Sequence, residues 1–241
     1  MEFDLLDIIH PMKAAFFDID GTLVSGFSGV SFFEFLANKN KFRKKNRDGL
    51  VKAVKQYKVS KITYEQLAVI WGQEIASGLK GQKRTEIYGL SSEFWQYVKP
   101  KFAVWAKKLI SLFNSHQFNT IAISGSPIEL LNLYKEKLDF QNVYATTVET
   151  KNDIYTGKLI INLVLGKEKE MIVNNVVIKD HIDLKESFGF GDNEHDRAFL
   201  DKVGHPIVIS SESSLKHFAK KQGWPIFNFS DDVFEKVKAL L

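Results

Sequence analysis

The sequence predicts an α/β protein, a parallel sheet wound with helices and interrupted after its first strand by an all-helical module. Three observations carry that expectation. Short apolar runs recur at lengths that suit buried parallel strands, helical patterns separate the later runs, and residues from about 27 to 100 are helical in texture throughout.

The first strand is expected at Ala14–Phe17, four apolar residues that run straight into Asp18. Phe32–Leu36, Leu50–Tyr57, Tyr64–Ile75 and Phe94–Val98 follow as amphipathic or aromatic-rich helical stretches with no convincing strand between them. The α/β texture resumes with a strand at Thr120–Ile123 and a helix at Ile128–Leu138, where Pro127 suits the first helical position. A strand at Val143–Thr146, a helix at Glu168–Ile178, a strand at Ser187–Phe190, a helix at Glu194–Val203 and a strand at Ile207–Ile209 continue the alternation. Right-handed crossovers are expected to join the parallel strands. Ser214–Gln222 and Asp231–Leu241 read as the last helices, the second with Val233, Phe234, Val237 and Leu240 on one side. The chain thus divides into a core, residues 1–25 and 101–241, and a helical insert, residues 26–100.

Composition narrows the functional classes. The 241 residues are 44% apolar, an ordinary fraction for a globular protein and too high for a disordered one. Cysteine is absent, which excludes disulfides, thiolate metal sites and cysteine nucleophiles. The acidic start Met1-Glu2-Phe3-Asp4 is unlike a secretory signal, and the longest uncharged stretch, Leu109 to Ile128, holds too many polar residues to span a membrane. A cytoplasmic protein is expected. Net charge is a mild +4, concentrated in Lys39–Arg47, where six of nine residues are cationic. Such a run can attract an anionic partner, but no nucleic-acid motif accompanies it and a solvated helix end explains it as well. No nucleic-acid partner is expected.

Four segments carry chemistry. In Phe17-Asp18-Ile19-Asp20-Gly21-Thr22 a strand ends in two carboxylates at i and i+2, where open parallel sheets bind ligands. Two acids so placed repel unless a cation or a proton is shared. A calcium-binding EF-hand is excluded, because Leu23 and Gly29 stand where that loop needs Gly and Glu. Ser124-Gly125-Ser126-Pro127 places hydroxyls and backbone N–H groups at a helix start, either as an anion site or as a simple cap. Lys167 and Lys169 open a helix, where cations are unfavourable unless an anion compensates them. Gly191-Asp192-Asn193-Glu194-His195-Asp196 sets two more acids past a strand, with Asp192 and Asp196 expected on one face of a helical turn.

Taken in this order, the segments resemble the haloacid dehalogenase superfamily, in its phosphoserine-phosphatase-like subclass. Asp18-x-Asp20-Gly21-Thr22 looks like its first motif, Ser124 its second, Lys169 its third, and Gly191-Asp192 with Asp196 its fourth. Asp153–Leu159 looks like a family hairpin. The resemblance implies a Rossmann-like three-layer core with a helical cap over the site, and a phosphomonoester hydrolase acting on a small phosphorylated metabolite. It implies that Asp18 is the nucleophile, that Asp20 is the general acid and base, and that Thr22, Ser124, Gly125 and Lys169 bind phosphate. Mg²⁺ would be held by Asp18, Asp20 and Asp192, with Asp196 and Asn193 behind them. Lys169 is preferred to Lys167 because its 23-residue step to Asp192 fits the family spacing. The 106 residues between Asp18 and Ser124 have room for a cap, whereas the 45 between Ser124 and Lys169 do not.

One departure bears on specificity. Nine residues after the nucleophile, where the subclass typically carries Glu for a substrate amino group, this chain has Phe27. Phe27, Phe32 and Phe33 suit a less polar leaving group, or simply pack the insert. Competing readings are a phosphotransferase of the same fold, a receiver-like domain that keeps its phosphate, and a serine hydrolase built from Ser124, Asp192 and His205 or His217. The last lacks the Gly-x-Ser-x-Gly elbow and leaves the Asp18–Asp20 pair unused.

Overall fold

The computed structural model describes residues 11–209 and 214–241, so the reading of Met1–Asp4 lies outside the described residues. β1 (Ala14–Phe17) is followed by four helices, α1 (Ser28–Asn38), α2 (Lys44–Lys58), α3 (Tyr64–Leu79) and α4 (Arg84–Val98), and by no strand before α5 (Ala106–Ser115). Then come β2 (Asn119–Pro127), α6 (Ile128–Leu138), β3 (Asn142–Lys151), β4 (Ile154–Ile161) and α7 (Gly166–Lys179). The chain closes with β5 (Phe188–Gly191), α8 (Arg197–Leu200), β6 (His205–Ile209), α9 (Ser214–Gln222), β7 (Ile226–Phe227) and α10 (Val233–Lys238).

The strands form one sheet in the order β4-β3-β2-β1-β5-β6-β7, parallel except for the β3–β4 hairpin. Alternation along β1 explains the layers. Ala15 and Phe17 face a core shared with α5, α6 and α10, while Ala14 and Phe16 face one made with α7, α8 and α9. Aromatic rings fill the first core: Phe17 stacks on Phe190 with centroids 4.6 Å apart, and Phe113 meets both edge-on. This is the three-layer α/β architecture that the sequence predicts. From β1 the chain winds outward through β2, β3 and β4, then returns to β1's other side with β5. That reversal opens a crevice beyond the ends of β2, β1 and β5.

Several elements differ from their expected bounds. The strand expected at Val143–Thr146 runs ten residues, because β3 pairs with β2 and then continues as one arm of the hairpin. Asn152 and Asp153, both at positive φ, make its tight turn. The helix expected over Glu194–Val203 is a 3₁₀ turn, Glu194–Asp196, followed by the short α8, because Asn193 and Asp196 close a capping box at its start. Pro127 caps α6 from outside instead of entering it, and neither Ser124 nor Ser126 bonds the helix end. β7 was not foreseen; two residues are too short for periodicity to register.

The insert has its own logic. Phe32, Phe33, Leu36, Leu50, Leu67 and Ile75 are buried among its helices, and a Thr63–Gln66 capping box starts α3. The basic run forms the α1–α2 loop and the first turn of α2. Lys39 and Lys41 pair with Glu93 and Glu86 of α4 at 2.8 and 2.7 Å, so part of that charge is neutralised within the insert. Among the described residues no helix is long and apolar enough to cross a membrane.

Candidate active site

At the end of β1 the backbone N–H of Asp18 still pairs with Phe190, and the chain then turns tightly: Gly21 N–H donates to Val24, and the N–H groups of Leu23 and Val24 both reach the carbonyl of Ile19. Glycine is required at position 21 on two counts. Its φ is +99°, and a Cβ there would stand 2.2 Å from an Asp192 carboxylate oxygen. The turn thereby brings the acids of β1 against those that follow β5.

Lys169 organises the cluster. It lies in the first turn of α7, is 2% exposed, and donates to Asp18 Oδ1 and Asp196 Oδ1, each at 2.7 Å. Lys167 is exposed on the same turn. The other Asp18 oxygen, Oδ2, is buried with no hydrogen-bond partner. Asp196 Oδ2 accepts from the backbone N–H groups of Asp192 and Asn193 at 3.0 and 3.1 Å. Asp192 and Asp196 therefore do not share a helical face as expected. Asp196 folds back beneath a closed turn, because its carboxylate satisfies N–H groups that no helix reaches. Asn193 donates to Asp192 Oδ1 and accepts from His195 N–H.

Asp20 has a different setting. Its Oδ1 accepts from the Ser28 N–H at the start of α1, 2.8 Å away, and its Oδ2 meets Ser126 Oγ at 2.7 Å. The carboxylate thus ties the first inserted helix to the end of β2. Ser124 Oγ accepts the Ser126 N–H at 3.2 Å, which leaves its own proton free to be given. Gly125 lines the cleft and accepts from Trp71 Nε1 at 3.0 Å. Thr22 is fully buried with its hydroxyl unpartnered, and it is not among the residues that line the cleft.

The carboxylates of Asp20, Asp192 and Asp196 all lie close enough to act on one another or on Asp18, and one ammonium, Lys169, pairs with two of the four acids. Burial pushes the carboxyl of Asp18 up; Lys169 pulls it down, and Asp196 and Asp20 push it up again. Burial raises Asp192, and Asp18 and Asp196 add to it. Burial raises Asp20 as well, against its bonds from Ser28 and Ser126. Desolvation works against the charge of Lys169, but Asp18 and Asp196 outweigh it and raise its pKa. Such an excess of negative charge calls for a cation. One oxygen from each of Asp18, Asp192 and Asp196 lies within 4.8 Å of the others, Asp18 Oδ2 lacks a partner, and an all-carboxylate donor set suits a hard divalent ion. The residues present therefore fit Mg²⁺.

Above the cluster, a cleft of about 560 Å³, counted with its open mouth, is roofed by the insert. Tyr64, Leu67 and Trp71, one face of α3, line it; their i, i+3, i+7 spacing looks in sequence like any core-facing stripe, so it carried no sign of a site. Tyr64 also stacks on His195, centroids 3.7 Å apart. Ser126 was legible only as a cap candidate. The serine-hydrolase alternative fails on geometry. His205 starts β6 and packs on Phe188 at the opposite end of the strands from Ser124, and His217 is exposed on α9.

A doubly wound sheet with acids and a lysine at its crevice defines a class, the α/β enzymes that work with carboxylates beyond the central strand. The chain belongs to the haloacid dehalogenase-like hydrolase family, whose profile matches residues 15–201. It is similar to a Mycobacterium leprae protein named as a hydrolase, 25% identical over 90% of this chain and 72% of that one. It is also similar to the phosphoserine phosphatase SerB1 of Mycobacterium tuberculosis, 24% identical over 90% and 70%. Among solved structures, a protein of unknown function from Bordetella pertussis covers 91% of this chain and all of its own, with a TM-score of 0.75 at 21% identity. A phosphoserine phosphatase solved as a phospho-aspartyl intermediate analogue covers 95% and 99%, with a TM-score of 0.66 at 19% identity. These structural likenesses speak for the fold.

Proposed function

We propose that this enzyme is a Mg²⁺-dependent phosphatase that cleaves small phosphomonoesters through a phosphoryl group carried on Asp18. The observation that carries the reading is Asp18 itself, which lines the cleft with one oxygen held by Lys169 and the other buried and unpartnered. Asp18, Asp192 and the backbone carbonyl of Asp20 would hold the metal, with Asp196 and Asn193 bracing them from behind. Bound there, Mg²⁺ supplies positive charge that keeps the acids ionised and polarises the phosphoryl oxygens.

The chain's own groups account for the rest. An oxygen of the Asp18 carboxylate attacks phosphorus, and the bond to the leaving alcohol breaks as Asp20 gives the alcohol oxygen a proton. Water then attacks the same phosphorus, Asp20 takes its proton, and Asp18 departs as a carboxylate while inorganic phosphate is released. The 2.7 Å contact between Asp20 and Ser126 Oγ serves both halves, since a carboxylate accepts there and a carboxylic acid donates. Burial favours the protonated form that the first step needs. Lys169, the Ser124 hydroxyl and the Gly125 backbone would hold the phosphoryl oxygens. Helices α1–α4 act as the cap that shields the site from bulk solvent and admits the one water that hydrolyses the covalent intermediate.

The test is phosphate release from a panel of phosphomonoesters with Mg²⁺, using Asp18→Asn as the control. Wild-type protein is expected to turn over at least one ester, and Asp18→Asn to lose at least about 10³-fold while melting at an unchanged temperature. Retained turnover in that variant removes Asp18 as the nucleophile.

A further inference from the structure

We infer that the leaving-group side of the cleft is a subsite for an uncharged, apolar alcohol, so that the preferred substrates are alkyl or aryl phosphate monoesters and not phosphorylated amino acids. The inference rests on the phosphatase reading and adds the substrate class to it. Beyond the phosphoryl centre the cleft is walled by Phe27, Val54, Leu67, Trp71 and Val164, with the ring of Tyr64 beside them. The charged groups that line it, Asp18, Asp20 and Lys169, all belong to the phosphoryl centre. Of the polar groups in this wall, the Trp71 N–H is given to Gly125, and one face of the Tyr64 ring is covered by His195.

An amino-acid phosphate carries an ammonium and a carboxylate on its leaving group. Entering this wall would strip water from both without offering a partner to either. An alkyl or aryl group instead gains from the same wall.

Phe27 is the ring of this wall that packing does not account for. It occupies the N-cap of α1 and makes no bond to the helix end, which Asp20 caps through the Ser28 N–H at 2.8 Å. Phe32 and Phe33 are packed in the core of the insert, whereas Phe27 is 40% exposed at the mouth of the cleft. Packing therefore explains the first two rings but not the third. The nearby Lys58 ammonium stands 5.4 Å from the Phe27 ring centroid, outside the lining. The ring is thus set where a leaving group passes, at a helix end that Asp20 already caps.

The experiment compares kcat/KM for methyl, butyl, hexyl and phenyl phosphate and O-phosphoserine, in the full chain and in Phe27→Ala and Phe27→Leu. In the wild type, kcat/KM is expected to rise about fourfold per methylene that enters the subsite, with phosphoserine at least about tenfold below butyl phosphate. Phe27→Ala is expected to shrink the preference for hexyl over methyl phosphate about tenfold, mainly through KM, and Phe27→Leu to restore most of it. Alkylphosphonates, which are not hydrolysed, should show the same chain-length order as competitive inhibitors. Phosphoserine equal to or better than butyl phosphate, or a hexyl-to-methyl ratio unmoved by Phe27→Ala, overturns the subsite while leaving the phosphatase intact. Release from no ester, or full activity in Asp18→Asn, removes both readings together.

Discussion

Lys169 illustrates how much a single buried residue decides. Two carboxylates approach one ammonium at 2.7 Å, all three nearly sealed from water. Removing the cation leaves Asp18 and Asp196 buried beside each other without compensation. Lys169→Ala is therefore expected to destabilise the fold by about 3 kcal/mol and to abolish activity, while Lys167→Ala, exposed on the same turn, changes stability by less than about 0.5 kcal/mol. Chemical denaturation of the two variants checks this, and equal losses would reverse the assignment of the two lysines. The residues alone narrowed the choice to these two, and only the spacing to Asp192 in the family that the sequence resembles favoured Lys169. Which of two lysines two positions apart on a helix turns inward depends on what α7 packs against, and that lies in distant strands.

Among the elements, the insert's helices show why identical substitutions have opposite signs. In α3, a Cβ on Gly78 would meet the buried Phe42 ring at 2.1 Å, so Gly78→Ala is expected to cost about 1–3 kcal/mol as Phe42 and its neighbour Phe33 are displaced. In α4, Gly89 has open space around its Cα, so Gly89→Ala is expected to stabilise by about 0.5–1 kcal/mol through helix propensity alone. Thermal melts of the two variants should move in opposite directions; shifts of the same sign would mean that α3 does not pack on Phe42 of the α1–α2 loop. Helical periodicity announced both helices, yet it named only part of each. α4 begins at Arg84, ten residues before the expected Phe94, because that first stretch is stabilised by contacts with the hairpin and α6, such as Arg84 N–H to Asp153 and Thr85 to the Asp153 carboxylate, which no local pattern records.

Across the whole molecule, Glu129 joins three parts that are far apart in sequence. It opens α6, lies buried, faces Arg84 of the insert at 3.4 Å, and abuts the Tyr155 hydroxyl of the hairpin. Burial raises its carboxyl above the ordinary 4.5, against the pull of Tyr155 and Arg84. The folded chain then holds this proton more tightly than the unfolded chain. Its charge therefore weakens the fold as pH rises from about 4.5 through the raised value, and the penalty stays constant above that. Relative to Glu129→Gln, the wild type is expected to lose stability between pH 4 and 7. Melts of both proteins across that range isolate the effect from the other carboxylates, and a difference that grows in the opposite sense would show that Arg84 dominates.

From the sequence alone came the alternation of strands and helices, the interruption after β1, and the acids placed at strand ends. Those follow from periods of two and 3.6 residues and from where apolar runs stop, which are local properties. The tertiary structure decided which lysine is buried, that Asp196 braces a turn, that Thr22 is buried outside the lining of the cleft, and that Ser126 and the N-terminus of α1 share Asp20. It also separated Phe27 from Phe32 and Phe33, leaving one ring at a mouth and two in a core. Each of these outcomes depends on which surfaces meet when the sheet reverses direction at β1 and the insert folds over it. A residue's neighbours along the chain do not carry that information.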